Sequence, residues 1–542
     1  MFDVTSTLLR RARTSTLSRD AARQFLSSYL DKRALKAKDL AALAEVRQAA
    51  IFTDQLSAGA CERYAAPGHG SCDGVASPAL LDVASVFEVR AALQAGMATF
   101  ALHAEARVAS ALGAGFYTIG PCGEELLAAV GLVLRPDDSA ALHYRHLATQ
   151  VARHARPLVA RGGLDGTFGA DPLASQAVLA KLFLDRARGY VASSFDPVTG
   201  GAHCALGGGR HDFVVTSTLA SQASPAVGRA LAPGLMAALG LGRHCLTPPK
   251  GLSYCSLGDG SVNNAHFLAA ANLATYLEHR RVRCPVLFGV SDNGLCISLK
   301  GHGWLPVFLQ QLGMPVFTAD GCSLASVFSA TRRAADFVRR RGKPAVVVFA
   351  GLPRRFGHAA TDRQAAYLAA AEVDAHERTN PLGFACADAV ASGAATYPEL
   401  ARLWAQSQAM ALGAFAQAAA EPKLGQLGLA NLLQRNHAPF LASRATRPVA
   451  AEPASTGAAA GAAAAGASGG VRRSSLASVA ELQALAAAAA SEGNASSAIH
   501  GAPLKDLSGG ARRNVMRKHM TACLAESFEK YARARTPPLY NT

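Results

Sequence analysis

The chain has no run of about 18 or more strongly apolar residues, which argues against a membrane-spanning helix. Its alanine tracts near 457–465 and 484–490 are too short and too weakly hydrophobic to alter that. Aromatic residues make up only 6% of the sequence, and the basic clusters at its two ends are not interleaved with aromatics. Single-strand binders stack bases on such aromatics, so a nucleic-acid partner is not expected. None of the eleven cysteines lies in the Cys-x-x-Cys spacing of a zinc or redox site. Cys255, Cys284 and Cys296 stand in apolar or strand-like surroundings, where a free thiol acts as a small hydrophobe. A reducing intracellular compartment follows. Acids are outnumbered, with 38 Asp and Glu against 54 Lys and Arg, giving a formal charge of +16.

What is present is a long, alanine- and glycine-rich chain of 542 residues, half of them hydrophobic. That length implies roughly two to four domains. Residues 1–30 carry five arginines, several Ser and Thr, and only Asp3 and Asp20 as acids. Such a composition suits a transit peptide to the mitochondrial matrix or another organelle; an amphipathic helix capping the first domain of a cytoplasmic protein suits it equally.

The pattern divides the chain into four parts. Residues 1–80 read as a basic, helical N-terminal segment, and 81–440 as the main domain. Residues 441–504 are an Ala, Gly and Ser linker expected to be disordered, and 505–542 return to ordinary composition. Within the main domain, 252–257 (LSYCSL) reads as strand, 264–279 as helix, and 285–291 and 345–350 as further strands. Strand, helix, strand at this spacing signals an α/β fold with a mostly parallel sheet and helices on both faces.

Chemistry concentrates where those strands end. Gly258-Asp259-Gly260-Ser261-Val262-Asn263-Asn264 leads from a strand into a helix, and Ser291-Asp292-Asn293-Gly294 follows the next strand. Glycines admit a diphosphate close to the backbone, and a helix start offers free N–H groups to an anion. Asp259 and Asn293 supply hard oxygens of the kind Mg²⁺ requires. A lone Gly-Asp-Gly is also a common turn, so the coupled arrangement carries the signal.

That arrangement resembles the cofactor motif of thiamine diphosphate enzymes. In the family the Asn side chain and the carbonyl two residues later, here Asn293 and Leu295, complete a magnesium shell with the Asp. Three further segments resemble the alpha subunit of the first component of 2-oxo acid dehydrogenases, especially the branched-chain type. They are Tyr144-Arg145 in ALHYRHLATQ, TSTLASQASPAVGRALA at 216–232, and Arg354-Arg355-Phe356-Gly357-His358-Ala359 with its continuation to Leu368. The resemblance spans roughly 85–435, with the segments in the expected order.

The resemblance implies a thiamine diphosphate-binding fold. Tyr144 and Arg145 would contact the diphosphate, and Ser217 and the Leu219 backbone the aminopyrimidine ring. His358 would face the reaction centre on a loop held by Arg354. The implied activity is oxidative decarboxylation of a 2-oxo acid with acyl transfer to a lipoyl group. Partners would be a beta-type subunit, or the beta half of the same enzyme, and a lipoyl acyltransferase core, in an alpha2-beta2-type oligomer. A transketolase-like or acetoin-forming carboligase uses the same cofactor site, and a non-catalytic subunit retaining the fold is a third reading.

Two positions depart from the family's pattern. Ala359 replaces a phosphorylatable serine, leaving Thr361 as the nearby hydroxyl. Ser291 replaces a common arginine, which is expected to remove a diphosphate contact and weaken cofactor affinity. The glutamate that activates the aminopyrimidine belongs to the family's beta component. Residues 505–542 look like the entry to a beta-type domain, so this chain alone is not expected to turn over.

Overall fold

Five parallel strands form one sheet in the order β1-β2-β3-β7-β6. They are β1 (Ser139–Ala141), β2 (Ser253–Gly258), β3 (Val286–Ser291), β6 (Val316–Asp320) and β7 (Ala345–Ala350). Two short strands, β4 (Leu295–Cys296) and β5 (Leu299–Lys300), make a separate antiparallel hairpin. The computed structural model describes residues 19–64, 78–116, 119–159, 172–196, 198–199, 204–208 and 211–425. All of these fall in one compact unit.

Side chains alternate across the sheet with the two-residue period of a strand. Leu287, Val347 and Phe349 enter one core, while Phe288, Val290, Val346 and Val348 enter the other. Both faces are therefore covered, as a parallel sheet requires. Helix α1 (Val86–Ala111) dominates the first core and is buried on nearly every side. It begins at a reciprocal cap. The Glu88 amide donates to Ser85 Oγ at 3.2 Å, and the Ser85 amide donates to Glu88 Oε2 at 3.0 Å. Helices Leu324–Arg341 and Tyr397–Ala420 share this face. In the latter, Trp404 packs 5.2 Å from Phe52 and 5.3 Å from Phe100, between ring centroids. Helices Ala223–Ala238 and Ala265–His279 cover the opposite face.

The expected strands at 252–257, 285–291 and 345–350 and the helix at 264–279 are found, shifted by a residue at most at either end. Within the N-terminal segment expected to be helical, the described residues form the helices Arg19–Leu35, Ala37–Ala41 and Ala44–Ala58. β1 and β6 were not legible as strands. β1 is a three-residue Ser-Ala-Ala with no β-branched side chain, and β6 is an edge strand behind Pro315. The linker at 441–504, the segment at 505–542 and the basic residues before Arg19 lie outside the described residues. Among the described residues, no helix is long and apolar enough to cross a membrane.

Candidate functional site

Parallel strands deliver their following loops to one edge, and here four candidate segments arrive together. β1 ends at Ala141, directly before Leu142-His143-Tyr144-Arg145-His146. β2 ends at Gly258, β3 at Ser291, and β7 at Ala350, ahead of Gly351-Leu352-Pro353-Arg354. The register places Gly258 beside Ser291, and Ser291 beside Phe349.

At the acidic corner, Asp259 and Asn293 meet over one amide. The Leu295 N–H donates to Asn293 Oδ1 at 3.0 Å, and the same amide also favours the ionised Asp259 carboxylate. Burial raises the Asp259 carboxyl above its usual range, and Asp292 adds to the rise. Gly260 is tightly enclosed, since a Cβ there would stand 2.2 Å from Cys296 Sγ. Beside Gly258 lies His143, 5% exposed, with neither ring nitrogen hydrogen-bonded. Its ring lies 3.8 Å from that of Tyr144, between centroids, tilted by 38°, and its amide donates to Ser256 Oγ at 2.7 Å. Among the described residues no cluster of three or more His, Cys, Asp and Glu is arranged to hold a metal. The oxygen set expected here contains only one of those residue types, Asp259.

Arg145 joins this corner to the histidine loop. Its guanidinium donates to the Gly120 carbonyl, to His358 O at 3.0 Å, and approaches His358 Nδ1 at 3.1 Å. A guanidinium can only donate, so Nδ1 accepts and the neutral imidazole carries its proton on Nε2. Burial, then Arg145 and Arg354, push His358 down to about 4, keeping it neutral at physiological pH. The loop is further fixed by Asp362, which accepts from the His358 amide at 2.6 Å and the Tyr367 hydroxyl at 2.5 Å.

Arg354, expected to hold the histidine loop, is 2% exposed. It donates to the Tyr367 hydroxyl and to the Ile297 carbonyl in the β4–β5 turn. Ala359 is buried against Ile119 and Tyr144, whereas Thr361 is exposed. Ser217 is half-buried and Leu219 37% exposed on the turn before helix Ala223–Ala238. Gln222 ties that turn to the sheet by donating to Ser256 O at 2.8 Å.

Ser291 occupies a place that its sequence neighbours did not foreshadow. It is 1% exposed, its hydroxyl donates to Glu124 Oε2 at 2.8 Å, and His146 Nε2 lies 3.0 Å away. With its single proton committed to Glu124, the hydroxyl accepts from His146 Nε2–H. Burial pushes Glu124 up to about 7 and His146 down to about 3. Glu124 carried no local sequence signal beyond its place beside Glu125.

Residues 190–426 match the family model for the dehydrogenase E1 component. The E1 match covers Ser217, Leu219, Gly258–Gly260, Asn293, Leu295 and the His358 loop, while Tyr144 and Arg145 precede it. It supports a thiamine diphosphate-dependent component that decarboxylates a 2-oxo acid within a dehydrogenase complex, and an oxidoreductase class of activity. The five-stranded parallel sheet with its helices is compatible with the fold of such an E1 component. No curated protein matches the chain.

Proposed function

We propose that the chain is the alpha-type part of a branched-chain 2-oxo acid dehydrogenase first component, binding thiamine diphosphate with Mg²⁺ and passing its acyl product to a lipoyl group. The observation that carries the reading is the convergence of Arg145, the Asp259–Asn293–Leu295 corner and His358 at the carboxyl edge of one sheet. A carboxylate, a carboxamide and a backbone carbonyl are the hard oxygen donors that Mg²⁺ takes. The buried His143 ring beside Gly258, whose two nitrogens have no hydrogen-bond partner, suits a polar group at this position.

Asp259, Asn293 and the Leu295 carbonyl would hold the metal. Tyr144 and Arg145 would meet the diphosphate, and Ser217 and the Leu219 backbone the aminopyrimidine. Thiamine diphosphate, when bound, supplies the carbanion equivalent and the electron sink. His358 presents an Nε2–H from a neutral ring, so it can donate to an oxygen on which negative charge develops. Arg145 accepts no proton and fixes that tautomer. Arg354 acts by holding the loop.

The branched-chain preference rests on the resemblance of the 354–368 and 216–232 segments. We assign the activating glutamate to a beta-type partner, and an organellar matrix on the arginine-rich first 30 residues. Calorimetry of the full chain with thiamine diphosphate and Mg²⁺, alone and with a beta-type subunit, tests the reading. Saturable binding that requires the metal is expected; absence of binding in both settings would overturn it. Acyl transfer to a lipoyl domain should then require both partners. Product formation without a lipoyl domain would point to carboligation.

A further inference from the structure

We propose that Glu124 is a positioning residue whose carboxylate, through the Ser291 hydroxyl and the His146 ring, sets the spacing between the Tyr144-Arg145 loop and the Asp292-Asn293 loop. Three distant parts of the chain meet at this point. Glu124 precedes a 3-10 turn, His146 directly follows Arg145, and Ser291 ends β3 two residues before Asn293. Their exposures are 3%, 0% and 1%. Glu124 Oε2 accepts from Ser291 Oγ at 2.8 Å and stands 3.6 Å from His146 Nε2.

The energetics favour a brace over incidental burial. A buried carboxylate is costly unless satisfied, and well-packed apolar residues would fill such a space at lower cost. The nearby cation Arg145 spends its guanidinium on Gly120 and His358. Glu124 is left to join the residue after one cofactor-contacting pair to the residue before the metal corner. Ser291 also changes its meaning in this light. The arginine that the resemblance expects would enter a sealed, 1%-exposed position and break the brace, so it would not restore a diphosphate contact.

The inference rests on the proposed cofactor site for its consequence, but the brace itself is testable without cofactor. The full chain would be compared with Glu124→Ala and Ser291→Ala by amide hydrogen exchange. Exchange should rise together at 142–147 and 291–296 in both variants, with strand 345–350 unchanged. Unchanged exchange in the two loops, or an equal rise everywhere, would overturn the brace. Titration with thiamine diphosphate and Mg²⁺ forms the second arm. Each variant should bind at least about 10-fold more weakly than wild type, and Ser291→Arg should be no tighter than Ser291→Ala. Wild-type affinity in Glu124→Ala would defeat this consequence of the brace. A wild-type chain that fails to bind would instead defeat the cofactor reading and leave the exchange result to judge the brace.

Discussion

The guanidinium of Arg145 grips His358 at two points, 3.0 Å from its carbonyl oxygen and 3.1 Å from Nδ1. One residue thereby links the loop after β1 to the loop after β7 and selects the tautomer of the histidine. The cation also opposes protonation of the ring, after burial itself.

Removing that cation has a defined effect on titration. In Arg145→Gln the midpoint of His358 should rise from about 4 towards the usual 6.5. Wild-type stabilisation from the neutral ring is present above the unfolded value and is lost as pH falls towards about 4. NMR of ring-labelled histidine would follow both midpoints. An unchanged midpoint would show that burial and Arg354 set the value without Arg145.

Glu124 runs the opposite way. Its folded value of about 7 exceeds the usual 4.5, so the folded state holds the extra proton between those limits. Stability from this group is therefore complete below pH 4.5 and lost as pH rises through about 7, by something of the order of 3 kcal/mol. Urea unfolding across this range should show a flatter pH profile for Glu124→Gln than for wild type. Parallel profiles would assign the slope to other groups.

Asp259→Ala removes the one carboxylate proposed to bind the metal. Thiamine diphosphate affinity should lose its dependence on Mg²⁺, falling at least about 10-fold at saturating metal. Calorimetry at varied Mg²⁺ reads this directly. Persistence of the metal dependence would move the metal to other residues.

Gly123 lies where two loops touch. Its φ is +101°, and an added Cβ would stand 1.8 Å from the Pro353 carbonyl oxygen. Gly123→Ala should cost about 2–4 kcal/mol, because the backbone must move and a left-handed conformation is forced on alanine. Thermal unfolding should shift down by roughly 2–5 °C for a unit of this size, and a neutral result would mean that the Pro353 segment yields easily.

The sequence by itself determined the repeating strand-helix units and the order of the site segments. Apolar runs such as AVVVFA at 345–350 are strands for local reasons, and Gly258-Asp259-Gly260 with Asn293 follows from the ends of two of them. Arg354 and His358 stood out as candidates within one loop. β1 did not stand out, because Ser139–Ala141 has no strand-forming pattern and is held by pairing with β2. The contacts between distant segments were decided only by tertiary structure. Arg145 reaching His358, and Glu124 reaching Ser291 and His146, depend on which strands are neighbours, and no local pattern records that. Read alone, Ser291 was a missing arginine. In the fold it is a buried hydroxyl between a carboxylate and an imidazole, because β3 ends beside β2 and β7 and seals it from solvent.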